Sequence, residues 1–234
     1  MKNLNKLFWV SRPISWVNTA FPFAAGYLLT IGHIDALLII GTLYFLWPYN
    51  LFLYGINDVF DYDSDILNPR KGGVEGMKES RSFHPSIIRA TLITNIPFVI
   101  YFFVTGSFLS NLVLVIVLFA VAAYSLAGLR FKELPIVDSI TSSLHFVGPL
   151  IYALSLTGLS LNFLPYIISF FLWGMASHAF GAVQDIIPDR KAKLSSIATV
   201  FGAKWTVRLS ALMYLIAGIT IAFVGGLVSI LGLI

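Results

Sequence analysis

Seven stretches of about twenty apolar residues constrain this chain more than any other feature. A bilayer core about 30 Å thick is crossed by about 20 residues of helix, each rising about 1.5 Å. Windows of that length fall at about 14–32, 36–57, 86–106, 109–128, 136–158, 162–184 and 206–225. Gly32-His33, Gly106-Ser107 and Gly158-Leu159-Ser160 read as short turns, while 58–85, 129–135 and 185–205 are longer and polar. The pattern predicts an all-α integral membrane protein with seven transmembrane helices and one transmembrane domain over 1–234. Only 11% of residues are charged, against about 25% in soluble domains. That excludes an ordinary soluble enzyme and a disordered chain. Cysteine is absent, so disulfides, thiolate nucleophiles and cysteine-zinc sites are excluded. The basic start followed by an apolar run resembles a signal peptide. Arg12-Pro13 interrupts it and the run continues too long, so a retained first helix is expected.

The charges then orient the chain. Lys2, Lys6 and Arg12 precede span one. Arg70, Lys71, Lys78, Arg81 and Arg89 lie between spans two and three. Arg130 and Lys132 follow span four, and Arg190, Lys191, Lys193, Lys204 and Arg208 follow span six. All 15 cations thus fall on the side of the N-terminus. The positive-inside rule makes that side cytoplasmic. Every acid joins them except Asp35. One membrane face is therefore polar and the other almost uncharged, which implies ligand binding at the cytoplasmic mouth. The net charge of +4 reflects this partition and not a nucleic-acid partner. Apart from Arg208, residues 206–234 are predominantly apolar, read either as one long tilted helix or as a seventh helix followed by the start of an eighth, with Gly225-Gly226 as a break.

Two acidic motifs close spans two and six. In Asn57-Asp58-Val59-Phe60-Asp61-Tyr62-Asp63-Ser64-Asp65, a continuous helix would place Asp58, Asp61 and Asp65 on one face, with Asn57 four residues before Asp61. Carboxylates so aligned repel unless a cation bridges them. A hard divalent cation such as Mg²⁺, with phosphate oxygens completing its shell, suits them. Asp185 and Asp189 form a second pair four residues apart, with Pro188 expected to bend or end the helix between them. Arg70, Lys71, Arg130, Lys132, Arg190 and Lys193 lie close by in sequence and are candidates to neutralise a diphosphate. Polar residues inside spans are costly and often functional. Asn50 lies seven residues before Asn57, and His178 seven before Asp185. With Asn18 they are candidates for a substrate pocket, and His145 is a further intramembrane polar residue.

These motifs carry a resemblance. Asn57-Asp58-x-x-Asp61-x-x-x-Asp65 and Asp185-x-x-x-Asp189 resemble the two signatures of the UbiA-type intramembrane prenyltransferases. The segment Tyr124–Lys132 resembles that family's tyrosine-to-lysine stretch, and Ser195–Gly202 the stretch after the second signature. Within the family, Ser11–Thr19, Tyr54–Tyr62, Asn68–Gly76 and Phe171–Ser177 most resemble lycopene elongases of C50 carotenoid synthesis.

The resemblance implies a Mg²⁺-dependent prenyltransferase whose helices ring a cavity open to the cytoplasm. The reaction implied is transfer of a five-carbon allylic group from dimethylallyl diphosphate to lycopene or a similar carotenoid. Asn57, Asp58, Asp61, Asp65, Asp185 and Asp189 would hold metal, with Asp61 and Asp185 the expected catalytic pair. Tyr124 joins the diphosphate candidates. The partners implied are a prenyl diphosphate, an apolar acceptor and membrane lipid. The family normally has nine transmembrane helices, so this chain reads as short at its C-terminal end. Another acceptor is the first alternative: a quinone precursor, haem or a glycerol-based lipid. The spans hold no Lys or Arg except at their ends, which favours an apolar one. An ion-coupled transporter is the second alternative, but transporters place acids near the midplane, and these acids close helices on one side.

Overall fold

The computed structural model describes residues 2–66, 68–69, 71–73 and 76–225. The described chain is nearly all helical, with an isolated Gly73–Gly76 bridge and no strand. Seven helical stretches are long and apolar enough to cross a membrane: Pro13–Ile31, Ala36–Phe60, Arg81–Thr105, Phe108–Ser125, Val137–Thr157, Leu161–Lys191 and Ile197–Val224. The seven expected spans are all present. Spans two, six and seven are interrupted, at Trp47-Pro48, Val183–Asp185 and Gly202.

One compact unit comprises Met1–Arg130 and Gly148–Gly158. It holds α1 (Lys2–Val10), α2 (Val17–Ile31), α3 (Ala36–Leu46), α4 (Pro48–Phe60), α5 (Tyr62–Asp65), α6 (His84–Thr105), α7 (Phe108–Ser125) and the second half of α8 (Val137–Thr157). Asp35 caps α3, its Oδ1 accepting the Leu38 N–H at 2.8 Å while Oδ2 accepts the Tyr27 hydroxyl at 2.8 Å. Span two is two helices, because Pro48 has no N–H to continue the ladder of α3. The interruption releases carbonyls, which in lipid must find donors. Asn50 Nδ2 supplies them, donating to the carbonyls of Phe45 at 2.7 Å and Leu46 at 3.0 Å and to Thr19 Oγ1 at 2.7 Å. Thr19 Oγ1 donates to Phe45 O, and Asn95 Nδ2 to Pro48 O. Helices in lipid gain little from excluding water, so packing must hold them together. Here aromatic rings do so. Phe23, Tyr44, Phe45, Tyr49, Phe102 and Tyr152 are fully buried, and neighbouring centroids such as Phe23–Phe45 and Phe102–Tyr152 stand 5.0 and 5.5 Å apart. Such pairs contribute about 0.5–1.5 kcal/mol each beyond burial.

The other unit comprises Phe131–Val147 and Leu159–Ile234. It holds the first half of α8, then α9 (Leu164–Ala182), α10 (Ile186–Lys191) and α11 (Ile197–Gly225). Small and hydroxyl residues bind these helices. A Cβ on Gly174 of α9 would lie 2.4 Å from Ser143 Oγ of α8, so only glycine fits there. Ser143 Oγ donates to Phe171 O at 2.6 Å, Ser169 Oγ to Ala217 O at 3.0 Å, and Ser177 pairs with the Tyr214 hydroxyl at 2.8 Å. Interhelical bonds of this kind average about 0.6 kcal/mol in membranes. The last span is one helical stretch with a non-helical Gly202 near its start.

Candidate functional site

The first acidic motif is not on one continuous helix. α4 ends at Phe60, Asp61 sits at φ −102°, ψ 3°, and α5 begins a new turn at Tyr62. The continuous helix expected there is instead two helices meeting at Asp61, although the Asp61 N–H still bonds Asn57 O at 2.9 Å and the Asp65 N–H bonds Asp61 O at 2.8 Å. Asp61 lies in the sparsely populated bridge region, where active-site residues are frequent.

Each carboxylate then finds its own partners. Asp61 is buried. Its Oδ2 accepts from Asn57 Nδ2 at 2.6 Å, and its Oδ1 lies 3.5 Å from Arg130 Nη2. Asn57 Nδ2 also donates to Ser125 Oγ at 2.9 Å, tying α4 to the end of α7 beside half-buried Tyr124. Asp65 Oδ2 is buried 3.3 Å from Lys71 Nζ and accepts no well-aligned hydrogen bond among the described residues. Asp63, outside the metal set, is exposed and pairs with Arg81. Asp58 is buried against Arg12, 2.7 Å away, and accepts the Met77 N–H at 3.2 Å. Burial pushes the Arg12 guanidinium down, and Asp58 with Tyr54 more than reverses this, holding it above its ordinary value. Arg70 lies outside the described residues.

The second motif repeats the backbone device. α9 ends at Ala182, a 3₁₀ turn covers Val183–Asp185, and Asp185 sits at φ −98°, ψ 0° before α10. Pro188 does not end this helix. It occupies the first turn of α10, where its missing N–H has no partner to lose. Asp185 and Asp189 are half-buried. Ser196 Oγ stands 3.5 Å from Asp189 Oδ2, and Leu194 N–H closes on Asp189 O at 2.9 Å. Arg190 is exposed, with Nη2 donating to Thr199 O at 3.4 Å. Lys193 is exposed too, and Lys132 is half-buried in the turn Phe131–Glu133.

The pocket candidates separate. Asn50 is fully buried and engaged with the carbonyls freed at Pro48. Asn18 is exposed on α2, and His178 is half-buried on α9. His145 is buried on α8.

Two groups that the spacing did not single out belong to these sites. Arg12 reads in sequence as an orienting charge, yet it holds Asp58 from 46 residues away. Asp138 reads as one more acid, yet it is fully buried. Its Oδ1 accepts the Ser139 N–H at 2.6 Å and hydroxyl at 3.1 Å, and its Oδ2 accepts the Ile197 N–H at 2.7 Å. It thereby fixes the start of α11, adjoining the Ser196 that reaches Asp189. Arg12, Arg130 and Lys193 share a further mark. They adopt left-handed backbone, with φ of 51°, 43° and 58°, a state that costs about 1–3 kcal/mol and concentrates at functional sites.

Among the described residues, no three His, Asp or Glu side chains converge as a ready-formed metal cage. The donors nevertheless fit a hard divalent cation. They are oxygens, Asp65 Oδ2 is buried and accepts no well-aligned hydrogen bond among the described residues, and the neighbouring cations suit phosphate oxygens.

Known proteins match this chain over nearly its full length. The model of the UbiA prenyltransferase family matches residues 19–234. A lycopene elongase/hydratase of Corynebacterium glutamicum is 51% identical over 223 residues, covering 94% of this chain and 78% of that protein. The C(50) beta-cyclic carotenoids biosynthesis protein LbtBC of a Dietzia strain is 52% identical over 216 residues, covering 92% of this chain and 50% of that protein. Among solved structures, a UbiA homolog from Archaeoglobus fulgidus bound to DMAPP and Mg²⁺ superposes with a TM-score of 0.75 at 22% identity, covering 97% of this chain and 83% of that one.

Proposed function

The chain belongs to the UbiA prenyltransferase family, and from that premise we propose that it moves a five-carbon allylic group from dimethylallyl diphosphate to lycopene or a closely similar carotenoid. The observation that carries this reading is the first motif, where Arg130 faces Asp61 and Lys71 faces Asp65. The identity to lycopene elongases supports the acceptor, and the donor bound in the Archaeoglobus structure supports the diphosphate. We place the N-terminus and both motifs on the cytoplasmic side, from the one-sided distribution of the cations.

Asn57, Asp61 and Asp65 in the first motif, and Asp185 and Asp189 in the second, are the residues that would hold Mg²⁺. When bound, the metal supplies Lewis-acid charge that makes a diphosphate a better leaving group. The chain's own part is positioning and charge. Asn57 fixes the Asp61 carboxylate through a 2.6 Å bond and is itself fixed by Ser125. Arg130 and Lys71 would neutralise the diphosphate oxygens, with Tyr124 close to the first of them in sequence. Their places beside carboxylates already position them for an ionic ligand. An allylic cation needs a dry surrounding and aromatic faces, and 15% of this chain is aromatic. A terminal alkene carbon of the acceptor attacks that cation, and the tertiary cation so formed loses a proton or takes up water.

Expression in cells that accumulate lycopene, followed by pigment mass analysis, tests the proposal. Products heavier by one or two five-carbon units are expected, and Asp61→Ala should remove them. Unchanged lycopene in cells where the protein is inserted would reject the acceptor.

A further inference from the structure

Asp58 is buried on α4 in an ion pair with Arg12. Both of its oxygens are committed, and to donors from different parts of the chain. Oδ1 accepts from Arg12 Nη2 at 2.7 Å and Oδ2 from the backbone of Met77 at 3.2 Å. The residue is 4% exposed. Arg12 lies 4.4 Å over the ring of Tyr54, one turn earlier on α4. On the loop side, Gly76 has φ 143°. A Cβ there would lie 2.9 Å from Arg12 Nη2 and 3.0 Å from Lys71 Cδ, so glycine alone lets the backbone approach both cations. The loop closes on itself through Gly72 N–H to Gly76 O and Lys78 Nζ to Asn68 O, both 2.8 Å. It also closes on the N-terminal arm, with Met77 packed near Leu7, Val10 and Phe83, and with Lys6 paired to Glu79. Within this arrangement Lys71 stands 3.3 Å from Asp65.

We infer that Asp58 is a positioning residue and not a metal ligand: it pins the N-terminal arm to the segment 76–79, and so sets where Lys71 and Arg12 stand. The inference rests on the diphosphate reading of the site. Its physical basis is the partner that Asp58 would have to release. A carboxylate that turned to a metal would leave the Arg12 guanidinium buried against Tyr54 without its counter-ion, and an unpaired buried charge is the expensive arrangement. Asp65 is held more loosely, with Lys71 Nζ 3.3 Å from its inner oxygen against 2.7 Å for Arg12 and Asp58.

The full chain in lipid nanodiscs allows a test with two readouts. Trypsin cleavage at Lys71, Lys78 and Arg81 reports the loop directly and needs no activity. The KM for dimethylallyl diphosphate and the Mg²⁺ concentration for half-maximal rate report the site. Arg12→Ala and Asp58→Ala should each speed cleavage about tenfold. Each should raise the KM about tenfold while moving the Mg²⁺ requirement less than about twofold. The double variant should be no worse than either single one, because both remove the same pair. Arg12→Lys should recover most of the KM. Asp58→Asn, of the same shape and able to keep the Met77 bond, guards against misfolding and should fall between. A tenfold rise in the Mg²⁺ requirement for Asp58→Asn, with Arg12→Ala unchanged, would overturn the inference. Unaltered cleavage in both alanine variants would overturn it as well, even if no prenyl transfer is found and the functional reading fails by itself.

Discussion

The two acidic motifs share a backbone and differ in surroundings. In each a helix stops at an aspartate with φ near −100° and ψ near 0°, and a short helix then places a second aspartate four residues on. In the first motif Asp61 is buried, and cations face Asp58, Asp61 and Asp65. In the second, Asp185 and Asp189 are half-buried, a serine hydroxyl is the neighbour of Asp189, and Arg190 turns to a carbonyl. The backbone device is thus common to both, while the described neighbours differ: cations beside the first motif and the Ser196 hydroxyl at the start of α11 beside Asp189.

The largest expected effect tests whether the buried motif is the demanding one. Asp61→Ala should lower turnover at saturating Mg²⁺ by about 10²-fold or more, because it removes a carboxylate and strands the amide of Asn57. A variant keeping a tenth of the rate would break the comparison. Next, Asp138→Asn should weaken the second unit by about 1–3 kcal/mol, seen as a lower melting temperature in detergent. Asparagine has one carbonyl oxygen where two acceptors are used, so either the Ile197 or the Ser139 N–H must lose its partner. An unshifted melting curve would mean that α11 is held otherwise. Smaller still is the contrast between two arginines. Arg130→Gln should raise the KM for the prenyl diphosphate about tenfold, and exposed Arg190→Gln by no more than about twofold. Equal effects would erase the distinction between the motifs.

The smallest effect lies away from both motifs, at Asp35. The Leu38 N–H, then the Tyr27 hydroxyl, hold its carboxyl below the ordinary value. A depressed folded value stabilises the protein above the unfolded pKa of about 3.9 and loses that contribution as pH falls through the folded value. Asp35→Asn should thus lower the melting temperature slightly at neutral pH, and the gap should close below about pH 4. A gap that persists there would assign the cap to geometry alone.

The spans were legible because hydropathy is a local property and the bilayer sets their length. Their interruptions were legible in part. Pro48 stands in the sequence, and an asparagine two residues later signals the repair of freed carbonyls, although Asn50 reads first as a pocket residue. The break at Asp61 carries no such mark. The spacing Asp58, Asp61, Asp65 implies one face only while the helix continues, and it ends at Phe60. Pairings between distant segments were not legible at all. Arg12 with Asp58, and Asp138 with Ile197, join residues 46 and 59 apart, and no local pattern records them. The resemblance to a family pointed to the motifs but not to the groups that hold them.

The pairing of Arg12 with Asp58 also bears on how the chain enters the membrane. Arg12 comes just before the first span and Asp58 near the end of the second. The pair therefore joins the two open ends of the first helical hairpin. If either span failed to cross during synthesis, the partners would be left on opposite sides of the bilayer, and Asp58 would remain at an apolar helix end without a counter-ion. Such a charge is strongly disfavoured in lipid. The contact would therefore be lost if one of the two helices failed to cross, and it is kept in the completed hairpin.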